Sequence, residues 1–140
     1  IAQCLVGSEM CIRDSVYLMM AEIANMEGGD VASYINKIRE RAYGKNWDAT
    51  KYGYTNGNFT ENELAILHEK DKEMLGEGQR WYDLKRMTLT KGGKHLVFCP
   101  EGSKDGQKAI LTEAEAYKLY WPIETNMITK DPELTQTPGY

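Results

Sequence analysis

Long hydrophobic runs are missing from this chain. Nowhere in its 140 residues does an apolar stretch approach the roughly 20 residues that cross a bilayer as a helix. A surplus of one charge is missing too: 17 Lys and Arg against 21 Asp and Glu leave a net charge of -4. That balance gives no electrostatic footprint for nucleic acid and argues weakly against an anionic membrane surface as partner. Histidine is scarce, and His68 and His95 lie too far apart for ligand spacing, so no metal site is expected. Gly92-Gly93-Lys94 is too short for a phosphate loop and lacks the strand-to-helix context of one, and no cofactor is expected. What remains, at 41% hydrophobic residues, suits a globular chain with one modest core.

Cysteine is scarcer than its count of 3 suggests. Leu5-Val6-Gly7-Ser8-Glu9-Met10-Cys11-Ile12-Arg13-Asp14-Ser15 is what a common transposon-based sequencing adapter encodes in one frame. We read residues 1–15 as a non-native library scar on a truncated gene and place the protein proper at residues 16–140. The segment before Val16 is then expected to pack poorly. Cys4 and Cys11 drop out with it, and no signal region precedes Cys4 to make it a lipid-bearing residue. Cys99 alone supports neither a disulfide framework nor a metal site and reads as a small buried apolar group.

Along the rest of the chain the dominant period is helical. Val16, Met19, Met20 and Ile23 recur at helix spacing over Val16 to Asn25. Gly28-Gly29 interrupts, and Asp30 can cap a second helix, Val31 to Ala42, with Val31, Tyr34, Ile35, Ile38 and Ala42 on one face. The pair forms an αα-hairpin that resembles one tetratricopeptide-like repeat. Tyr43 to Phe59 reads as a long polar, aromatic-rich loop. Thr60-Glu61-Asn62-Glu63 reads as a capping box opening a helix with Leu64, Leu67, Met74 and Leu75 inward. Gly76 and Gly78 break that helix. A further one follows from Arg80 to Met87, with Trp81 and Leu84 inward. Lys91 to Gly106 reads as a turn around Leu96-Val97-Phe98-Cys99, and Thr112-Glu113-Ala114-Glu115 as a capping box for a brief helix. The tail after Trp121, with its prolines, is expected to be extended. The fold class is mainly α: a tetratricopeptide-like hairpin plus irregular loops, and little or no sheet.

Two groups of residues could carry chemistry. Trp47, Asp48, Tyr52, Tyr54 and Asn56, with Asn58, put aromatic faces and hydroxyl partners on one loop, as a sugar ring would require. The competing reading is that Trp47 and Tyr54 pin the loop to the helices. The second group is Glu69, Glu73, Glu77, Gly78, Arg80, Asp83 and Arg86. A hydrolytic glycosidase needs two carboxyls facing each other from separate elements, about 5–9 Å apart. Glu73 and Glu77 lie one turn apart on one helix, so pairing with Lys70, Arg80 or Arg86 around the break at Gly78 is the better reading. His68 reads as an ordinary solvated helix histidine.

Three motifs together carry a resemblance. They are Glu77-Gly78-Gln79-Arg80-Trp81-Tyr82-Asp83-Leu84, Tyr120-Trp121-Pro122-Ile123 and Asp131-Pro132-Glu133-Leu134-Thr135-Gln136-Thr137-Pro138-Gly139-Tyr140. They resemble the C-terminal part of SusD/RagB nutrient-binding lipoproteins of the Bacteroidetes outer membrane. Lys70 and Met74 depart from that pattern, standing where arginine and leucine are usual. The resemblance covers Val16 to Tyr140. It implies non-catalytic capture of oligosaccharides or other nutrients at the cell surface. It further implies a lipid anchor and a SusC-like TonB-dependent transporter as partner. Its rivals are a tetratricopeptide-like scaffold for protein segments and a glycoside-active enzyme.

Overall fold

The structure is a computed structural model that describes residues 9–103 and 108–140. Among these, regular structure is entirely helical, as the sequence predicts. The chain divides into two compact units, residues 1–95 and 96–140, described separately below.

In the first unit, α1 (Glu9–Glu27) packs against both α2 (Ala32–Tyr43) and α4 (Phe59–Glu73). Its core is small: Leu18, Ala21, Val31, Ile35, Ile38, Ile66 and Leu67 are fully buried. Each large aliphatic side chain among them stabilises the fold by about 1.5–3 kcal/mol relative to exposure. The apolar row that marks α1 in the sequence is not its buried face. Val16, Met19, Met20 and Ile23 stand 43%, 49%, 40% and 54% exposed, while Leu18, Ala21, Glu22 and Asn25 face inward. The helix carries two rows at helical spacing, and the inward one is half polar because Glu22 and Asn25 find ion-pair and amide partners there.

α1 also begins earlier than Val16. Asp14 is buried and ion-paired with Arg41 on α2, so this residue packs where poor packing was expected. Residues 1–8 lie outside the described residues, and with them Cys4. α2 starts one residue later than expected, with Val31 rather than Asp30 at the cap position; Asp30, just before it, accepts from the Ser33 N–H at 3.2 Å. The box that opens α4 is not at Thr60. Asn58 accepts from the Glu61 N–H while Glu61 takes the Asn58 N–H, so the helix starts two residues early and Glu63 turns inward. On α4 the buried residues are mostly polar, whereas Leu75 is 82% exposed beyond the helix end. Gly76 and Gly78, with φ of 87° and 72°, take the left-handed conformations that break the chain. α5 (Arg80–Arg86) then buries Leu84 and Asp83.

The second unit is built of short turns. Leu96 and Val97 are buried in a 3-10 turn, and the Val97 carbonyl accepts the N–H groups of Ile110 and Leu111. Cys99 is half-buried rather than buried. The Thr112–Glu115 capping box opens a 3-10 segment, Glu113–Leu119, as its sequence foretells. The tail is not wholly extended: α6 (Thr125–Lys130) forms where no proline interrupts. Beyond it Gln136 accepts from the Ile123 N–H (2.8 Å) and donates to the Ile123 carbonyl (2.9 Å). Tyr140 meets Tyr117 edge-on at 5.1 Å, and a Cβ on Gly139 would strike the Tyr117 ring. Trp121 points outward, 88% exposed.

Candidate functional site

The segment from Tyr43 to Phe59 is more ordered than a loop. A 3-10 turn (Gly44–Asn46) follows α2, and a single helical turn, α3 (Ala49–Tyr52), follows that. Asp48 caps α3, accepting from the Thr50 N–H and hydroxyl at 2.9 and 2.6 Å. Those two bonds, the hydroxyl first, hold the Asp48 carboxyl below its ordinary pKa. Asn56 accepts from the Ala32 N–H (2.7 Å) and donates to Asp30 (2.8 Å). Asn58 is the cap of α4. The polar groups that seemed free for a ligand are therefore engaged in holding the backbone.

Tyr54 is engaged as well. Asn36 clamps its backbone, accepting from the N–H at 2.7 Å and donating to the carbonyl at 3.0 Å. Its hydroxyl donates to Asn62 at 2.7 Å, and burial raises the phenol pKa. Arg39 lies 5.8 Å from the centre of the Tyr54 ring and donates to the Tyr52 carbonyl (2.8 Å) and to Glu69. The remaining rings form a cluster in which Tyr43 is exposed and Trp47 and Tyr52 are half-buried. Tyr43 and Tyr52 stack at 4.2 Å and 14°, Trp47 tilts against Tyr43 at 6.2 Å, and Lys51 stands 5.1 Å over Tyr52. Tyr43, 42% exposed, joins this cluster although the sequence reading, which began the loop at Tyr43, did not single it out.

The charged motif is brought together, but across helices rather than along one. Glu69 pairs with Arg39 and Lys72, and Glu73 with Arg41, not with Lys70, Arg80 or Arg86. Lys70 sits between Glu22 and Asp83, and Arg86 reaches the same two carboxylates. Arg80 pairs with Asp71 in a partly exposed contact, and Glu77 is exposed beside Gly78. Burial pushes the Glu22 carboxyl up, but hydrogen bonds from Arg86 and Lys70 outweigh it and leave its pKa lowered. The Arg86 guanidinium is held charged all the more firmly by its bond to Glu22. Burial leaves Glu63 and Glu73 raised. His68 is exposed, and among the described residues no cluster of His, Cys, Asp or Glu could hold a metal.

The sequence profile of the SusD family matches residues 15–140. The chain belongs to that family. A crystal structure of a SusD superfamily protein from Bacteroides fragilis matches with a TM-score of 0.84 at 63% identity, over 91% of this chain and 27% of that one. The starch-binding protein SusD of Bacteroides thetaiotaomicron is 31% identical over 124 residues, 89% of this chain and 20% of that protein. A SusD-like protein of Formosa agariphila is 41% identical over 73 residues, 51% of this chain and 13% of its own length. This chain thus spans about a fifth to a quarter of two of these SusD relatives and less of the third. The mainly helical fold read from the sequence is the fold of this family.

Proposed function

We propose that the intact protein captures carbohydrate without transforming it, at the outer surface of the outer membrane. A lipid anchor would hold it there, and a TonB-dependent transporter of the SusC type would take up what it binds. The observation that carries the reading is a cluster of three aromatic rings, Tyr43 exposed and Trp47 and Tyr52 half-buried, on the scaffold of a family with a starch-binding relative. Pyranose C–H faces stack on such rings, and irregular segments on a rigid helical base are where recognition concentrates. A non-catalytic role is favoured by the fate of the buried carboxylates. Glu22, Glu69, Glu73 and Asp83 are each engaged by arginine or lysine, and Glu63 is engaged by the Asn25 amide.

Trp47→Ala and Tyr43→Ala in the intact protein should each weaken oligosaccharide binding by about 1 kcal/mol or more. Isothermal titration against a glycan panel that includes maltooligosaccharides, at matched folded fraction, measures this. Unchanged affinity in both would remove the loop from recognition. A second reading, a tetratricopeptide-like scaffold for protein segments, is favoured by the exposed row on α1. Beside that row lies a groove of about 480 Å³ with Met19, Ile23, Met26, Met74 and Tyr82 in its wall. Binding of glycan by the intact protein decides between the two.

A further inference from the structure

Asn36, Arg39 and Tyr43 stand at i, i+3 and i+7 on α2 and so share one face of that helix. All three touch the end of α3 or the residues just after it. The last carbonyls of a helix have no partner within it, and α3 is a single turn, so the Tyr52 carbonyl needs a donor from elsewhere. Arg39 Nη1 supplies one at 2.8 Å. Two residues on, the Asn36 amide closes both the Tyr54 N–H, at 2.7 Å, and the Tyr54 carbonyl, at 3.0 Å. Tyr43 completes the face by stacking on the Tyr52 ring at 4.2 Å. Tyr52 is thus held at two points one turn of α2 apart, its carbonyl on Arg39 and its ring on Tyr43.

Arg39 is itself held from behind. Its Nε and Nη2 both donate to Glu69 Oε1 on α4, at 2.9 and 2.6 Å, and Glu69 is buried. A guanidinium is planar and its donors are fixed in direction. The edge seated on Glu69 therefore leaves Nη1 aimed at the Tyr52 carbonyl. A lysine at this position keeps a positive charge beside Glu69, but an ammonium is a point charge without that fork and cannot hold both acceptors in the same geometry.

We propose that Arg39, with Asn36 in support, is a positioning residue for the aromatic cluster: it fixes the Tyr52 backbone so that the Tyr52 ring stays stacked on Tyr43. The bearing of this on sugar rests on the function proposed above, whereas the placement of the ring does not. Rings already in place bind without first being ordered, so Arg39 contributes affinity without touching the sugar.

Two measurements on the intact protein test this. The first needs no ligand: hydrogen–deuterium exchange over the peptide 50–54, in which the Tyr52 and Gly53 N–H groups close α3 on Asp48 and Ala49. Arg39→Lys should lower its protection about fivefold, the weight of one hydrogen bond, and leave the peptide 18–23 on α1 as in the native protein. The second is isothermal titration with maltoheptaose at matched folded fraction. Arg39→Lys should weaken binding about fivefold in the native background and not at all in a Tyr52→Ala background, because it acts through that ring. Should Arg39→Lys fold poorly, Asn36→Ala, which disturbs no charge, takes its place in both measurements with the same expectations. Native protection of 50–54 in the variant overturns the proposal. So do losses of affinity that add to that of Tyr52→Ala, or a loss in Tyr52→Ala that the variant does not share. Loosening of 50–54 with Tyr52→Ala binding as tightly as native supports the placement and overturns the role of the cluster in recognition.

Discussion

Lys70 is the residue on which the charged interior turns. Its ammonium is almost wholly buried between Glu22 and Asp83, and Arg86, the other cation there, is half exposed. Such a cluster contributes little net stability when whole, because desolvation offsets attraction, but removing one member leaves charge uncompensated. Lys70→Ala should lower stability by about 3–5 kcal/mol, measured by urea denaturation, while Lys72→Ala, on an exposed stem, should cost under about 1 kcal/mol. Glu22 has a sign of its own. Its folded pKa is depressed, so the stability it adds is present above the unfolded carboxyl value and lost as pH falls through the folded one. Glu63 and Glu73 work the other way: raised by burial, they take up protons on folding in mild acid and oppose that loss.

At the scale of elements, the caps separate what was legible from what was not. Asn58→Ala should destabilise by about 1 kcal/mol, and Thr60→Ala, exposed and without a cap role, should be close to neutral; thermal melts of both variants check this. The sequence allowed both boxes, since Asn58-x-x-Glu61 and Thr60-x-x-Glu63 have the same spacing. Only the burial of Glu63 among Asn25, Asn62 and Thr88 selects the first, and that is a tertiary fact. The helices themselves were readable because their periodicity is local. Which face of α1 turns inward was not, since both its rows suit a helix and the polar one wins through partners on α4 and α5. The same holds for the site: aromatic residues were visible in the loop, but the engagement of Asp48, Asn56 and Tyr54 by nearby backbone and side chains was not.

For the whole molecule, the share of its relatives that this chain spans sets the context. It covers 27% of the Bacteroides fragilis protein and 20% of the starch-binding one. The adapter origin of residues 1–15 is a proposal that the gene itself can decide. Resequencing the locus from unamplified DNA should show a different sequence joined to Val16, and finding Leu5 to Ser15 encoded there would end the idea. The row on the outer side of α1 has one more consequence. Met19, Met20 and Met26 present thioethers to solvent, 49%, 40% and 40% exposed. Sulfoxide formation there would turn a flexible apolar strip into a polar, chiral one and abolish its fitness for burial. An oxidant would therefore make this face of the helix polar until the sulfoxides are reduced again.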